Sequence, residues 1–171
     1  MNLIQTIRAI EKTAALQPNV GTVVRNDVFR LNASPVVRYG VVAWLQNEHT
    51  SNADTGIITY NFTLFYVDRL TANKSNEIAI QSDGIETLEN ILQNLPALGL
   101  YPSDYSFRTF NQRFSDECAG VFCNVSIEAA KDTICAEAYE FIENEGAFNL
   151  DYNADYHVWE WKTKERTIYF I

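Results

Sequence analysis

Glycine and proline are scarce, at 7 and 4 residues in a chain of 171. That excludes collagen-like, linker-like and low-complexity architectures, which need those residues in bulk. Histidine is rarer still, with only His49 and His157. A Ser/His or Cys/His nucleophile pair would have to use one of them. The three cysteines, Cys118, Cys123 and Cys135, are an odd number at spacings that fit no disulfide framework, so reduced thiols and a cytosolic setting are expected. Basic charge is short as well: 13 Lys and Arg stand against 22 Asp and Glu, a net charge of -9. Tight binding to a phosphate backbone or an anionic lipid surface depends on clustered cations, so neither nucleic acid nor membrane is expected as a stable partner. No apolar run reaches the ~18 residues that span a bilayer. The opening MNLIQTIRAIEKTAALQ lacks the basic start and unbroken apolar stretch of a signal peptide. Without a secretory route, the Asn-x-Ser/Thr matches at Asn32, Asn61, Asn73 and Asn124 carry no meaning.

What the chain does have is apolar and aromatic mass, 47% and 13% of its residues, which is enough for a sizeable core. Residues 3–17 place Leu3, Ile7, Ile10 and Ala14 at helical spacing, with Ile4 widening the stripe. Pro18, Asn19 and Gly21 end that helix. Three β segments are expected next, at 22–31, 36–47 and 56–70. The third is the clearest: Ile58, Tyr60, Phe62, Leu64 and Tyr66 share one face, and Thr59, Asn61 and Thr63 the other. Its far end turns apolar on both faces at Phe65 and Val67. The polar stretch 48–56 reads as a long loop, longer than hairpins need, with His49 and Asp54 as its contact groups. A second amphipathic helix is expected over 78–97, with Ile85, Leu88, Ile91, Leu92 and Leu95 on one side. Strands at 104–114 and 119–129 follow, joined at Ser115-Asp116-Glu117.

Charge divides the chain near Lys131. Residues 1–131 carry 13 acidic and 10 basic side chains; residues 132–171 carry 9 and 3. The reading is an α+β body over 1–131, an antiparallel sheet with two amphipathic helices packed on one face, and an acidic C-terminal extension over 132–171. The extension is expected to hold a helix at 133–144 and to end in a β-hairpin of strands 156–161 and 166–171. Trp159, Trp161, Tyr169, Phe170 and Ile171 make that hairpin aromatic. An isolated hairpin is marginal in water, so these side chains must pack on something. Docking on a neighbouring copy is the favoured expectation.

No constellation points to catalysis. There is no glycine-rich phosphate loop, no G-x-S-x-G elbow and no H-E-x-x-H. Cys118 and Cys123 are too few for four-coordinate zinc, and Cys123 alternates into a core face. Asp151-x-Asn153-x-Asp155 opens like a calcium loop, but Tyr156 and Lys162 stand where the loop needs Gly and Glu. Glu137, Glu140 and Glu143 read as a solvated helix face. No catalytic residue, cofactor or metal is therefore expected. Asp68-Arg69, closing the strongest strand, reads either as an exposed ion pair or as an inter-subunit contact.

Three segments carry a resemblance. Tyr60-Asn61-Phe62-Thr63-Leu64-Phe65-Tyr66-Val67-Asp68-Arg69-Leu70 resembles a stretch of small neck proteins of tailed bacteriophages. Its continuation, Ser75-Asn76-Glu77-Ile78 and Gln81-Ser82-Asp83, does so too, as does Phe114-Ser115-Asp116-Glu117-Cys118-Ala119-Gly120. Together they are similar to the tail-terminator and head–tail connector class, in particular ring proteins of crAss-like gut phages, over roughly residues 1–130. The resemblance implies a structural virion protein, assembled in the host cytoplasm. It would be one subunit of a homo-oligomeric ring, six-fold or twelve-fold, with portal, connector or tail proteins as neighbours and DNA only in transit. Subunit-interface candidates are His49, Asp54, Asp68, Arg69, Trp159, Trp161 and Phe170. The alternative is a soluble ligand-binding or inhibitory module, again not an enzyme.

Overall fold

The computed structural model of the chain describes residues 1–26, 37–52, 54–111, 117–130, 151–155, 158–162 and 167–170. Helix α1 is Leu3–Leu16. It starts on a reciprocal cap: the Asn2 side chain accepts from the Gln5 N–H, and the Gln5 side chain accepts from the Asn2 N–H, both at 2.9 Å. Leu3 and Ile7 are partly buried and Ile10 and Ala14 wholly so, but Ile4 points out, 62% exposed. From Ala9 to Ala15 every residue is buried, Glu11 and Lys12 included.

Strands β1 (Thr22–Arg25), β2 (Val41–Asn52) and β3 (Ile57–Arg69) follow, then helix α2 (Glu77–Asn94) with a 3-10 turn at Leu95–Leu98. β4 (Leu100–Asn111) and β5 (Cys118–Ala130) complete the central region, and β6 (Asp151–Asn153), β7 (Val158–Lys162) and β8 (Thr167–Phe170) close the chain. The described strands form one sheet in the order β4-β5-β3-β2-β1-β8-β7-β6. Both helices pack on the face of β3 that carries Tyr60, Phe62, Leu64 and Tyr66, and six strands, β4 through β8 in that order, supply the shared core. The other face carries a smaller cluster of Val24, Val41, Ala43, Val67, Phe110 and Cys118, flanked by Phe65 and Phe122. Val67 is thus covered, as the doubly apolar end of β3 implied.

The sheet is mixed, which corrects the antiparallel expectation. β1 runs parallel to both β2 and β8. Strands expected at 22–31 and 36–47 would leave room only for a hairpin. Instead β1 stops at Arg25 and β2 begins at Val41, a separation that suits the crossover of a dozen or more residues that a parallel pair needs. Gly40 stands before β2 at φ +63, where an added Cβ would lie 1.8 Å from the Asn19 carbonyl oxygen. Only glycine fits that turn.

The loop expected at 48–56 is a second correction. β2 continues to Asn52 and pairs His49, Thr50, Ser51 and Asn52 with β3 across a bulge between Gln46 and His49. The backbone ladder with β3 holds these polar residues in a strand, and a side-chain network flanks it. Asn47 donates to Thr63 Oγ1 (2.9 Å), Thr63 to Asn124 Oδ1 (2.7 Å), Asn61 to the Glu48 carbonyl (2.6 Å) and Ser126 to Asn61 Oδ1 (2.7 Å).

The terminal hairpin forms: β7 and β8 pair antiparallel. Within the single chain it joins the sheet through β8, where docking on a neighbour is the expectation from sequence. Ile168 and Phe170, 0% and 1% exposed, enter the common core there. β6 is an addition to the strands expected from the sequence. The helix expected at 133–144 and the Ser115-Asp116 turn lie outside the described residues.

Candidate subunit interface

The three segments that carry the resemblance come together at one corner of the sheet. β3 ends on Asp68-Arg69, and the N–H of the next residue, Leu70, donates to the Glu117 carbonyl at 2.8 Å. Asp68 and Arg69 lie opposite Ala119 and Cys118 of β5. Asn76 brackets the turn that follows. Its amide donates to the Arg69 carbonyl (3.0 Å), and its Oδ1 accepts from the Thr71 N–H (2.9 Å) and hydroxyl (3.1 Å). Lys74 holds φ +57, and its N–H donates to the Thr71 carbonyl at 2.8 Å. Glu77, first in α2, accepts from Asn111 at 3.0 Å and ties the helix to the end of β4. A dense set of short-range polar bonds therefore holds this corner rigid.

Two residues, 2 and 7 positions from Asn76, are exposed at this corner. Ile78 is 80% exposed, the most exposed large hydrophobic residue among those described. It falls off the buried stripe of α2, which runs through Ile80, Gly84, Thr87, Leu88, Ile91 and Leu92. Arg69 is exposed, with its guanidinium 5.9 Å from the Tyr39 ring centroid. Asp68 does not pair with it, since strand alternation points the two to opposite faces. Asp68 instead accepts from the Arg69 N–H (2.6 Å), and its charge helps raise the Tyr66 hydroxyl pKa, after burial as the main cause. Ile78 is absent from the sequence candidates although its break from the helix stripe is visible in the sequence.

The remaining sequence candidates scatter. Asp54 is exposed at the tip of the β2–β3 hairpin, where its N–H donates to Asn52 Oδ1 at 3.0 Å. His49 lies in strand β2, not a loop. Its ring stands edge-on to Tyr60 at 5.2 Å, and both ring nitrogens are buried with no hydrogen-bond partner among the described residues. The residue as a whole is half-buried. Trp159 and Trp161 sit opposite Phe170 and Ile168 in the β7–β8 register. Phe170 itself is a core residue.

Sequence reading also misses the buried charges. Arg25 grips Glu11 with two bonds, Nε to Oε1 at 2.7 Å and Nη2 to Oε2 at 2.8 Å, and lies 5.1 Å from the Phe170 ring centroid. Trp44 Nε1 donates to the same carboxylate at 3.3 Å. Burial raises the Glu11 pKa, and Arg25 only partly offsets it. In β7, Glu160 accepts from Lys162 (2.8 Å) and Asn153 (2.6 Å), and these bonds lower its pKa. Burial pushes the Cys123 thiol up to about 12, which makes it an inert packing group at neutral pH. Among the described residues, no three His, Cys, Asp or Glu side chains are placed to hold a metal, and no helix is long and apolar enough to cross a membrane. A cavity of about 190 Å³ lies between Pro18–Gly21, Arg38, Tyr39 and Thr167–Ile168. No family model matches the chain, and no curated protein matches it either.

Proposed function

We propose that this chain is a structural subunit of an oligomeric ring in the neck or head–tail connector of a tailed phage. The ring is six-fold or twelve-fold, surrounds the path of DNA, and abuts portal, connector or tail proteins. The subunit is a virion component with no catalytic role. The observation that carries this reading is the convergence at the Arg69 corner. Segments 60–70 and 75–83 are consecutive along the chain and joined through Asn76 and Arg69, and Leu70 bonds to Glu117 of the third, distant segment.

The proposed contact is the exposed Ile78 on the helix side of this corner, while the exposed Arg69 faces the other side of the sheet beside Tyr39. Ile78→Asp is expected to leave the circular dichroism and unfolding midpoint unchanged, because the side chain is already 80% exposed. Ring assembly, followed by analytical ultracentrifugation, is expected to weaken by about tenfold or more, the factor that ~1.4 kcal/mol of lost contact produces. Unchanged assembly of a folded Ile78→Asp chain would remove this corner from the interface.

A further inference from the structure

We propose that His49 is an acid-operated catch on the β2–β3 hairpin: its ring packs against Tyr60 while neutral and swings into water once protonated. The device does not depend on the ring reading of the chain. Among the described residues, His49 alone has buried side-chain polar atoms without a hydrogen-bond partner, and both of its ring nitrogens are in that state. A neutral imidazole needs an acceptor for its N–H and a donor for its other nitrogen. Here it finds neither, so ring contacts alone keep it in place. It stands edge-on to Tyr60 at 5.2 Å and tilted to Phe62 at 6.1 Å. Protonation turns both nitrogens into donors and adds a charge, which this apolar site does not solvate. Water does, and histidine is the side chain whose charge ordinarily changes between about pH 5 and 8.

The surroundings let the ring leave without unfolding the chain. His49 is half-buried as a residue, so water is close to a ring whose nitrogens it does not reach. The register of β2 against β3 shifts between Gln46 and His49, which places an irregularity in the ladder at the catch itself. No charged group around the ring holds a cation there. On β2, Glu48 is exposed, and its carbonyl accepts from Asn61. On β3, the Tyr60 hydroxyl donates to the Met1 carbonyl at 3.3 Å, and burial raises its pKa. The Met1 ammonium donates to the Ala130 carbonyl and is a like charge. On β5, Glu128 lies opposite Thr59, on the other face of the sheet from Tyr60. Release uncovers the aromatic side chains behind the ring, Tyr60 at 5% exposure and Phe62 at 0%. Acid thus converts the outer half of the hairpin from a closed strand pair into one with an open aromatic patch.

The test follows the full chain by NMR from about pH 8 to about pH 5.5, with residue-resolved signals that keep His49 apart from His157. The contact between the His49 and Tyr60 rings is expected to disappear as His49 takes up its proton. Hydrogen exchange of the amides at Thr50–Asn52, corrected for intrinsic rates, is expected to quicken by about tenfold over the same range. His49→Phe keeps an aromatic ring against Tyr60 and takes up no proton. It is expected to abolish both changes, and to leave the unfolding midpoint at about pH 8 unchanged or higher, because it removes two unsatisfied polar atoms. A His49 ring that is charged and still in contact with Tyr60 would overturn the proposal, and so would pH-dependent opening that persists in His49→Phe. A lower midpoint in the folded variant would show that a hydrogen bond holds the imidazole, which overturns it as well. If His49→Phe does not fold, the ring contact in the unsubstituted chain decides alone.

Discussion

Arg25→Met is expected to destabilise the chain by about 2–3 kcal/mol at pH 7, toward the lower end for a broken buried pair because Arg25 is 31% exposed. The Met side chain keeps the apolar stem, so the loss reports the guanidinium. Without it, the Glu11 carboxylate stays buried with only the Trp44 N–H as a described donor. The pH dependence has a fixed sign. Glu11 has a raised pKa in the fold, so its contribution is fully present below the unfolded value of 4.5 and is lost as pH rises through the folded pKa. Arg25 opposes that rise, so its removal lifts the folded pKa further and deepens the loss. The stability deficit of Arg25→Met, measured by urea unfolding, is therefore expected to be smallest near pH 4.5 and to grow toward pH 7. A deficit that stays constant over that range would mean that Arg25 does not hold down the pKa of Glu11.

The elements around this pair separate what is legible in the sequence from what is not. β3 is clear because its alternation is unbroken from Ile58 to Tyr66, and one buried face suffices to fix both strand and register. α1 and α2 are clear from their stripes. Glu11 and Lys12 are not, because a helix covered on several sides buries positions that a single amphipathic stripe assigns to water. The polar end of β2 misleads for the converse reason. Glu48 through Asn52 have loop composition, and it is the backbone pairing of His49–Asn52 with β3 that makes them a strand. The parallel pairing of β1 is hidden because register between distant segments leaves no periodic trace. At the candidate interface, Asp68 and Arg69 stand out in the sequence. The exposure of Ile78 is legible as a break from the α2 stripe, whereas the bracket by Asn76 emerges only once β3 and α2 are assembled.

Phe170→Ala is expected to carry the largest cost, about 3–5 kcal/mol for deleting a buried aromatic, with roughly 0.5–1 kcal/mol more for the lost contact with Arg25. Thermal unfolding would register this as a fall of about 10 °C or more for a chain of this size. The substitution hollows the seam between β1 and β8, the place where the terminal hairpin joins the core. Phe170→Leu keeps most of the volume and is expected to recover more than half of the loss. A loss below about 1 kcal/mol for Phe170→Ala would show that the slot beside β1 is not filled by this ring.

The most direct test of the ring assignment is the mass and shape of the unsubstituted chain in solution, by analytical ultracentrifugation and electron microscopy of the same sample. One closed species of six or twelve chains with a central opening, in equilibrium with free subunits, is the predicted result. A chain that stays monomeric at every accessible concentration, or that grows into open polymers of no fixed size, would contradict it.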